Sequence, residues 1–354
     1  MYPYTVHFCF CIVTGAVVGV LRRANRGCAS FLRCLPQNME IPQMAGNADL
    51  NHADIVSENA SYVKSAAGRP RITIAISTRN RAKYLRQTLE SLRRQSVPPF
   101  EILILNDGGS DETPELVKSS GLNIRFFSWE NQGLAASRNH LLSLASGDWI
   151  LFLDDDDLLM PQALEVFAEA LADPRHRILY CRYQRIDAGG KELPTRDKFR
   201  ELPQGDAAVD LFVKNFLLPS GTLLPVSDLR MLETVFPVGQ FAEDYDCFLR
   251  LSLRLPVQGI DQRLTMRRRH GANMSSGTGA RGVADQIRTL ENFLALAGDL
   301  IPERLRRSRM AEMYARYALA LKREHAGRDV IRNAWRNSLV CRFSLKNFIR
   351  MLGA

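Results

Sequence analysis

The strand–helix alternation between Arg71 and Leu153 contains no Gly-x-Gly-x-x-Gly, so an ordinary dinucleotide-binding domain is disfavoured. Cysteine is sparse and unpaired in pattern. There are seven, an odd number, with no Cys-x-x-Cys. Cys9 and Cys11 are close, but no histidine or second pair completes a zinc site, and all seven read as free thiols of a reducing compartment. No internal repeat and no low-complexity tract occurs, and no basic-aromatic motif of the kind that reads nucleic acid stands out. The apolar first 21 residues lack a basic leading segment, and no small-x-small cleavage site follows them, which argues against a secretory signal.

What is present bounds the answer. A chain of 354 residues with 46% apolar content can bury a large core, as one domain with an appendage or as two domains. The net charge of +9 is uneven. After residue 282, 14 Lys and Arg stand against 7 Asp and Glu, which suggests a basic element facing an anionic surface such as a membrane. Residues 1–38 are expected to be either a marginal membrane anchor, with Arg22, Arg23 and Arg26 on its cytosolic side, or translation from an upstream start, since Met39 opens an ordinary soluble sequence. Residues 39–70 are polar and read as a linker.

From Arg71 the pattern is regular. Ile72–Ile76, Glu101–Leu105, Ile124–Ser128 and Trp149–Leu153 are β-rich runs. Between them lie helical segments: Ala82–Gln95 with Leu85, Leu89 and Leu92 on one face, a short helix with Thr113 as N-cap and Pro114 at its first position, and Gly133–Ala145. This alternation predicts a parallel, right-handed, doubly wound sheet. Further on, a strand is expected over Ile178–Tyr183, a tight turn at Asp187–Gly190 and a helix over Asp206–Phe216. Strand-like residues follow over Leu217–Val226, then a helix over Ala242–Leu253 and an extended run over Val257–Met266. From Val283 the chain reads as basic helices docking on the domain before them.

The chemistry concentrates at strand ends. Asp154–Asp157 are four consecutive carboxylates after the buried run Trp149–Leu153, and like charges in a row do not fold without a counter-charge. Strand C-termini of a parallel sheet share one edge, where such sheets bind ligands. Ser77–Arg81 and Asn106–Asp111 converge on that edge with the acids. Arginines, an acid on a Gly-containing turn and a carboxylate cluster suit a nucleoside diphosphate. The arginines serve phosphate, the acid a base or ribose, and the cluster a hard divalent cation.

The ordered set of motifs resembles the family 2 inverting glycosyltransferases of GT-A fold. It comprises Ser77-Thr-Arg-Asn-Arg81, Leu105–Thr113, Asn131–Asn139, Phe152–Asp157, Glu243–Arg250 and Arg268–Ser275, and covers about Arg71 to Ser276. The chain departs from the family pattern in three places. Arg79 replaces an aromatic residue, Asn106 replaces an acid, and a Gly-Gly-Phe-Asp-Glu stretch is reduced to Val238–Phe241. The resemblance implies a mostly parallel, Rossmann-like α/β sheet over residues 71–282 with a helical extension over 283–354. It implies Thr78, Arg81, Asp107, Arg138, Asp154 and Asp155 at the nucleotide sugar, with Asp107 on the base. Asp154 and Asp156 would hold Mn²⁺ or Mg²⁺ with His270, and Asp244 would be the general base. Asp155 takes the variable position of the Asp-x-Asp pair, and Asp157 is expected to cap or orient the next helix.

The expected reaction is metal-dependent transfer, with inversion, from a nucleotide sugar (a UDP-sugar favoured) to a saccharide or lipid-linked acceptor in cell-surface glycan synthesis. The expected location is the cytoplasm, at the inner face of the plasma membrane. A sugar-nucleotide pyrophosphorylase would need a Gly-rich loop where Ser77–Arg81 has none. The alternative from another class is a non-catalytic nucleotide-sugar-binding or assembly protein of the same fold.

Overall fold

The computed structural model describes residues 69–172, 177–197, 199–271 and 279–353. The expected leader, nearly all of the expected linker, four of the cysteines, and Asn273 and Ser275 lie outside the described residues.

Four parallel strands form the first half of the sheet: β1 (Ile72–Thr78), β2 (Glu101–Asp107), β3 (Ile124–Trp129) and β4 (Trp149–Phe152). Their order is β3-β2-β1-β4, with α1 (Ala82–Arg93), α2 (Thr113–Ser119) and α3 (Leu134–Leu144) as crossovers. Alternation along β1 explains the two-sided core. Ile72, Ile74 and Ile76 pack with Leu85, Leu89 and Leu92 of α1, whereas Ala75 joins Leu103, Phe152 and Leu141 of α3 on the other face.

Beyond β4 the sheet departs from the expected parallel pattern. A two-residue strand β5 (Leu158–Leu159) precedes α4 (Ala163–Ala170), so the helix begins two residues after Pro161. β6 (Ile178–Ile186) turns at Asp187–Gly190 into β7 (Glu192–Leu193), as predicted. After α5 (Ala208–Val213), the expected extended run resolves into a 3-10 turn over Pro219–Gly221 and then β8 (Thr222–Pro225). β8 is antiparallel to both β4 and β6, and two reversals make β6 parallel to β4 again. The long strand β9 (Val257–Arg268) is parallel to β6, so its C-terminal end lies on the same edge as those of β1, β2 and β4. The strand inserted from the opposite direction thereby places Ser220 and Arg268 beside the acids.

The remaining helices are α6 (Val226–Arg230), α7 (Glu243–Ser252), α8 (Gly279–Ala297), α9 (Glu303–Arg323), α10 (Arg328–Cys341) and α11 (Leu345–Leu352). The expected domain boundary at residue 282 falls inside α8, whose Ile287, Leu290 and Phe293 belong to the same core as α3 and α7. Leu321, Ile331 and Trp335 form a smaller cluster between α9 and α10. The spacing Gly277-x-Gly279-x-x-Gly282 leads into α8. No strand follows that helix among the described residues, so it is not a dinucleotide turn. No helix among the described residues is long and apolar enough to cross a membrane.

Candidate active site

The turn after β2 is built before it can bind anything. Asn106 accepts from Gly109 N (2.9 Å) and donates through Nδ2 to Gly109 O (2.9 Å), which an aspartate could not do while ionised. Gly108 has φ +72°, and a Cβ there would stand 2.6 Å from Asn131 N. Asn80, with φ 53°, folds the turn after β1 and accepts from Ser110 N (2.7 Å). The cap expected of Thr113 is made by Asp111 instead. Asp111 accepts from Thr113 N (3.3 Å) and Oγ1 (2.7 Å), and its other oxygen accepts from Ala82 N (2.8 Å), so one carboxylate caps both α1 and α2. These bonds hold its pKa below the ordinary value despite partial burial.

Asp107 lies at the end of β2 with both oxygens engaged. It accepts from Trp129 Nε1 (2.8 Å), Gln132 N (2.8 Å) and Gly133 N (2.9 Å), and so fixes the entry to α3. Thr78, Arg81 and Arg138 line a cavity of about 960 Å³ together with Asp107, Asp154–Asp157 and Asp244. The residues predicted at the nucleotide and catalytic positions therefore share one cavity, except that His270 stands behind it, against Asp156.

The four acids divide unequally. Asp154 pairs with Arg138 (2.8 Å), and its backbone N–H donates to Ser220 Oγ (3.1 Å). Asp155 is buried and pairs with Arg81 (3.1 Å), which it holds against the cavity wall. Burial pushes Asp155 up to about 7 against the pull of Arg81. Asp156 accepts from Arg81 (3.4 Å) and bonds His270 Nε2 (2.8 Å), while Tyr84 stacks on the imidazole at 4.6 Å. Asp157 does not cap α4, which starts six residues later. Its carboxylate accepts from Arg268 N (2.8 Å), and burial followed by the neighbouring Asp154 and Asp156 lifts it well above the ordinary carboxylate range.

Carboxylate oxygens of Asp154, Asp156 and Asp157 all lie within 4.8 Å of one another. His270, expected as a further ligand, lies outside that group and meets it through the bond of its Nε2 to Asp156. Desolvation likewise raises Asp154. Three close acids fit a hard divalent cation, which would add to the counter-charge of Arg138 and Arg81.

Glu243 and Asp244 open α7 at the opposite wall. Glu243 is buried and pairs with the other face of Arg138 (2.9 Å), so this arginine bridges Asp154 and Glu243 across 105 residues of sequence from the latter. Burial raises Glu243 to about 7. Asp244 is half-buried, accepts the N–H of Tyr245 (2.7 Å), and has no salt-bridge partner among the described residues. Asp246 pairs with Arg250 (2.6 Å), which also donates to the carbonyls of Thr234 and Val235 and pins the loop before α7.

Sequence reasoning missed Glu243 as the partner of Arg138, and Arg268, whose buried guanidinium donates to Asp156 O (2.8 Å) and Gln87 (2.9 Å). It also missed Gln286, Arg309 and Arg316, which reach the cavity from α8 and α9. The basic character of these helices was visible; which arginines face inward was not.

Residues 73–230 match the model of Glycosyl transferase family 2. They form a family 2 glycosyltransferase domain. Chondroitin synthase of Pasteurella multocida is 28% identical over 210 residues, covering 58% of this chain and 21% of that protein. Staphylococcus aureus TarS 1-349 in complex with UDP-GlcNAc superposes with a TM-score of 0.56 at 21% identity, over 80% of both chains. The mannosyltransferase PcManGT from Pyrobaculum calidifontis, in complex with GDP-Man and Mn²⁺, gives 0.51 at 17% identity, over 81% of this chain and 80% of that one. The family 2 domain therefore has the GT-A fold, a curled, mostly parallel sheet followed here by helices. The chain spans only 29%, 34% and 60% of the length of three of the curated relatives it matches.

Proposed function

We propose that this protein transfers a glycosyl group, with inversion, from a nucleotide-diphosphate sugar to a hydroxyl acceptor. The observation that carries the reading is the placement of an unpaired carboxylate, Asp244, in the same cavity as the Asp154, Asp156 and Asp157 cluster. Asp154, Asp156 and Asp157 would hold Mn²⁺ or Mg²⁺, with His270 fixing Asp156. Bound there, such an ion supplies Lewis-acid stabilisation of the departing diphosphate.

The chain's own groups have separate tasks. Arg81, held by Asp155 and Asp156, and Arg138, held by Asp154 and Glu243, keep positive charge at the cavity wall where a diphosphate would lie. Asp244 takes the proton of the acceptor hydroxyl. The acceptor oxygen then bonds to the anomeric carbon while the bond from that carbon to the phosphate oxygen breaks, its electron pair leaving with the nucleoside diphosphate. A single displacement of this kind inverts the centre. The UDP-GlcNAc complex of TarS supports a UDP-sugar as donor, and the name of the Pasteurella relative supports a saccharide acceptor. The pathway proposed is synthesis of a cell-surface glycan, on a saccharide or lipid-linked acceptor.

The test is a panel of nucleotide sugars with Mn²⁺, scored for release of nucleoside diphosphate by wild type and by Asp244→Asn. Turnover of a UDP-sugar, reduced about 10²- to 10⁴-fold in the variant with donor binding intact, is the expected result. Tight UDP binding without turnover across donors and acceptors would favour the non-catalytic binder instead.

A further inference from the structure

The last helix is amphipathic, yet it docks with its polar side inward. Leu345, Phe348, Ile349 and Leu352 share one face of α11 at helical spacing, and Leu345, Ile349 and Leu352 are 61–65% exposed. The opposite side meets the protein: Asn347 Nδ2 donates to Ser338 Oγ (3.2 Å), Arg350 lies over the Trp335 ring (5.7 Å), and Met351 packs against the Trp335 cluster. Ser344 caps the helix through Asn347 N, which fixes where it starts. Phe343, 69% exposed just before the cap, extends the apolar face. A helix of a water-bounded protein turns such a face to the core.

The charge pattern selects the occupant. From Val330 to Ala354 there are five basic residues and no acid. Arg342 and Lys346 flank the apolar stripe and are exposed. Two copies of this face would bring like charges together, whereas an anionic lipid surface satisfies the apolar stripe and its basic flanks at once. We propose that α11 lies in the plane of an anionic bilayer surface, with Phe343, Leu345, Ile349 and Leu352 in the acyl boundary and Arg342 and Lys346 at the headgroups. The cavity residues are not involved, so this inference stands independently of the transfer reaction.

The experiment is co-sedimentation of the full chain with phosphatidylcholine vesicles containing or lacking phosphatidylglycerol, for wild type, Phe343→Ser/Ile349→Ser and Lys346→Gln. All three wild-type side chains concerned are exposed, so circular dichroism should be unchanged in the variants. Expected are binding to anionic vesicles only, loss of binding in the double variant, and about a fivefold weakening in Lys346→Gln. Equal binding by wild type and double variant overturns the proposal. So does absent vesicle binding together with a concentration-dependent dimer, in sedimentation velocity, that the double variant abolishes.

Discussion

Replacing Arg138 with Met should produce a stability defect that grows with alkalinity. Arg138 is buried between Asp154 and Glu243, at 2.8 and 2.9 Å. In the wild type Glu243 stands at about 7, raised mainly by burial and pulled back by this arginine. Its raised pKa means that its contribution is intact below the unfolded value of 4.5 and is lost as pH rises to about 7, where the folded carboxylate also ionises and the loss stops. Without Arg138 the folded pKa moves higher, so the variant continues to lose stability above pH 7 at up to about 1.4 kcal/mol per pH unit. Between pH 7 and pH 8.5 the gap between variant and wild type should therefore widen by about 2 kcal/mol, or about 5 °C in Tm. Below pH 7 the Glu243 part of the gap should be constant, while Asp154, raised by burial and likewise pulled back by Arg138, adds a widening of its own as it ionises. Urea denaturation at pH 6.5, 7.5 and 8.5 reads this directly, and adding Glu243→Gln should remove most of the slope. A gap independent of pH, or a slope that survives Glu243→Gln, would refute the reasoning.

Asp111→Ala should lower stability by about 1–3 kcal/mol at pH 7 in urea titrations, because one side chain caps two helices. Its pKa is depressed, so the difference from wild type should shrink as pH falls through the folded value; a constant difference down to pH 2 would exclude the capping role. Asp156→Ala should cut kcat more than about 100-fold, whereas Asp155→Asn should chiefly raise the donor KM through loosening of Arg81. Steady-state kinetics giving the reverse split would mean that the two acids exchange roles.

The first half of the fold was legible because local pattern and topology agree there. Strands β1 to β4 alternate with helices, and a right-handed crossover leaves one arrangement for such a series. The second half was not, because β8 enters the sheet against the direction of β4 and nothing local to Thr222–Pro225 encodes that reversal. The same holds within the site. Ser77–Arg81, Asn106–Asp111 and Asp154–Asp157 could be gathered on one edge from strand order alone, whereas Asp244 rested on the family resemblance and Asp155 and Asp157 were not given their partners, Asp157 being read as a cap. Their true partners, Arg81 and Arg268 N, come from the turn after β1 and the end of β9. His270 was assigned to the ion's ligand set through its motif, and the structure adds the 2.8 Å bond of its Nε2 to Asp156.

By itself the sequence determined that four consecutive acids follow a buried strand, that arginines and a Gly-containing turn end its neighbours, and that the chain's last fifth is basic. Those properties follow from composition and periodicity, which are local. Only the tertiary structure decided how the charge is shared. Arg138 links Asp154 to Glu243, Arg81 holds Asp155 beside Asp156, and β9 delivers His270 and Arg268 behind them. It also turned the apolar face of α11 outward, through its polar bond to Ser338. Electrostatic pairing and burial depend on distances between residues up to 114 positions apart, and strand direction, not sequence order, sets those distances.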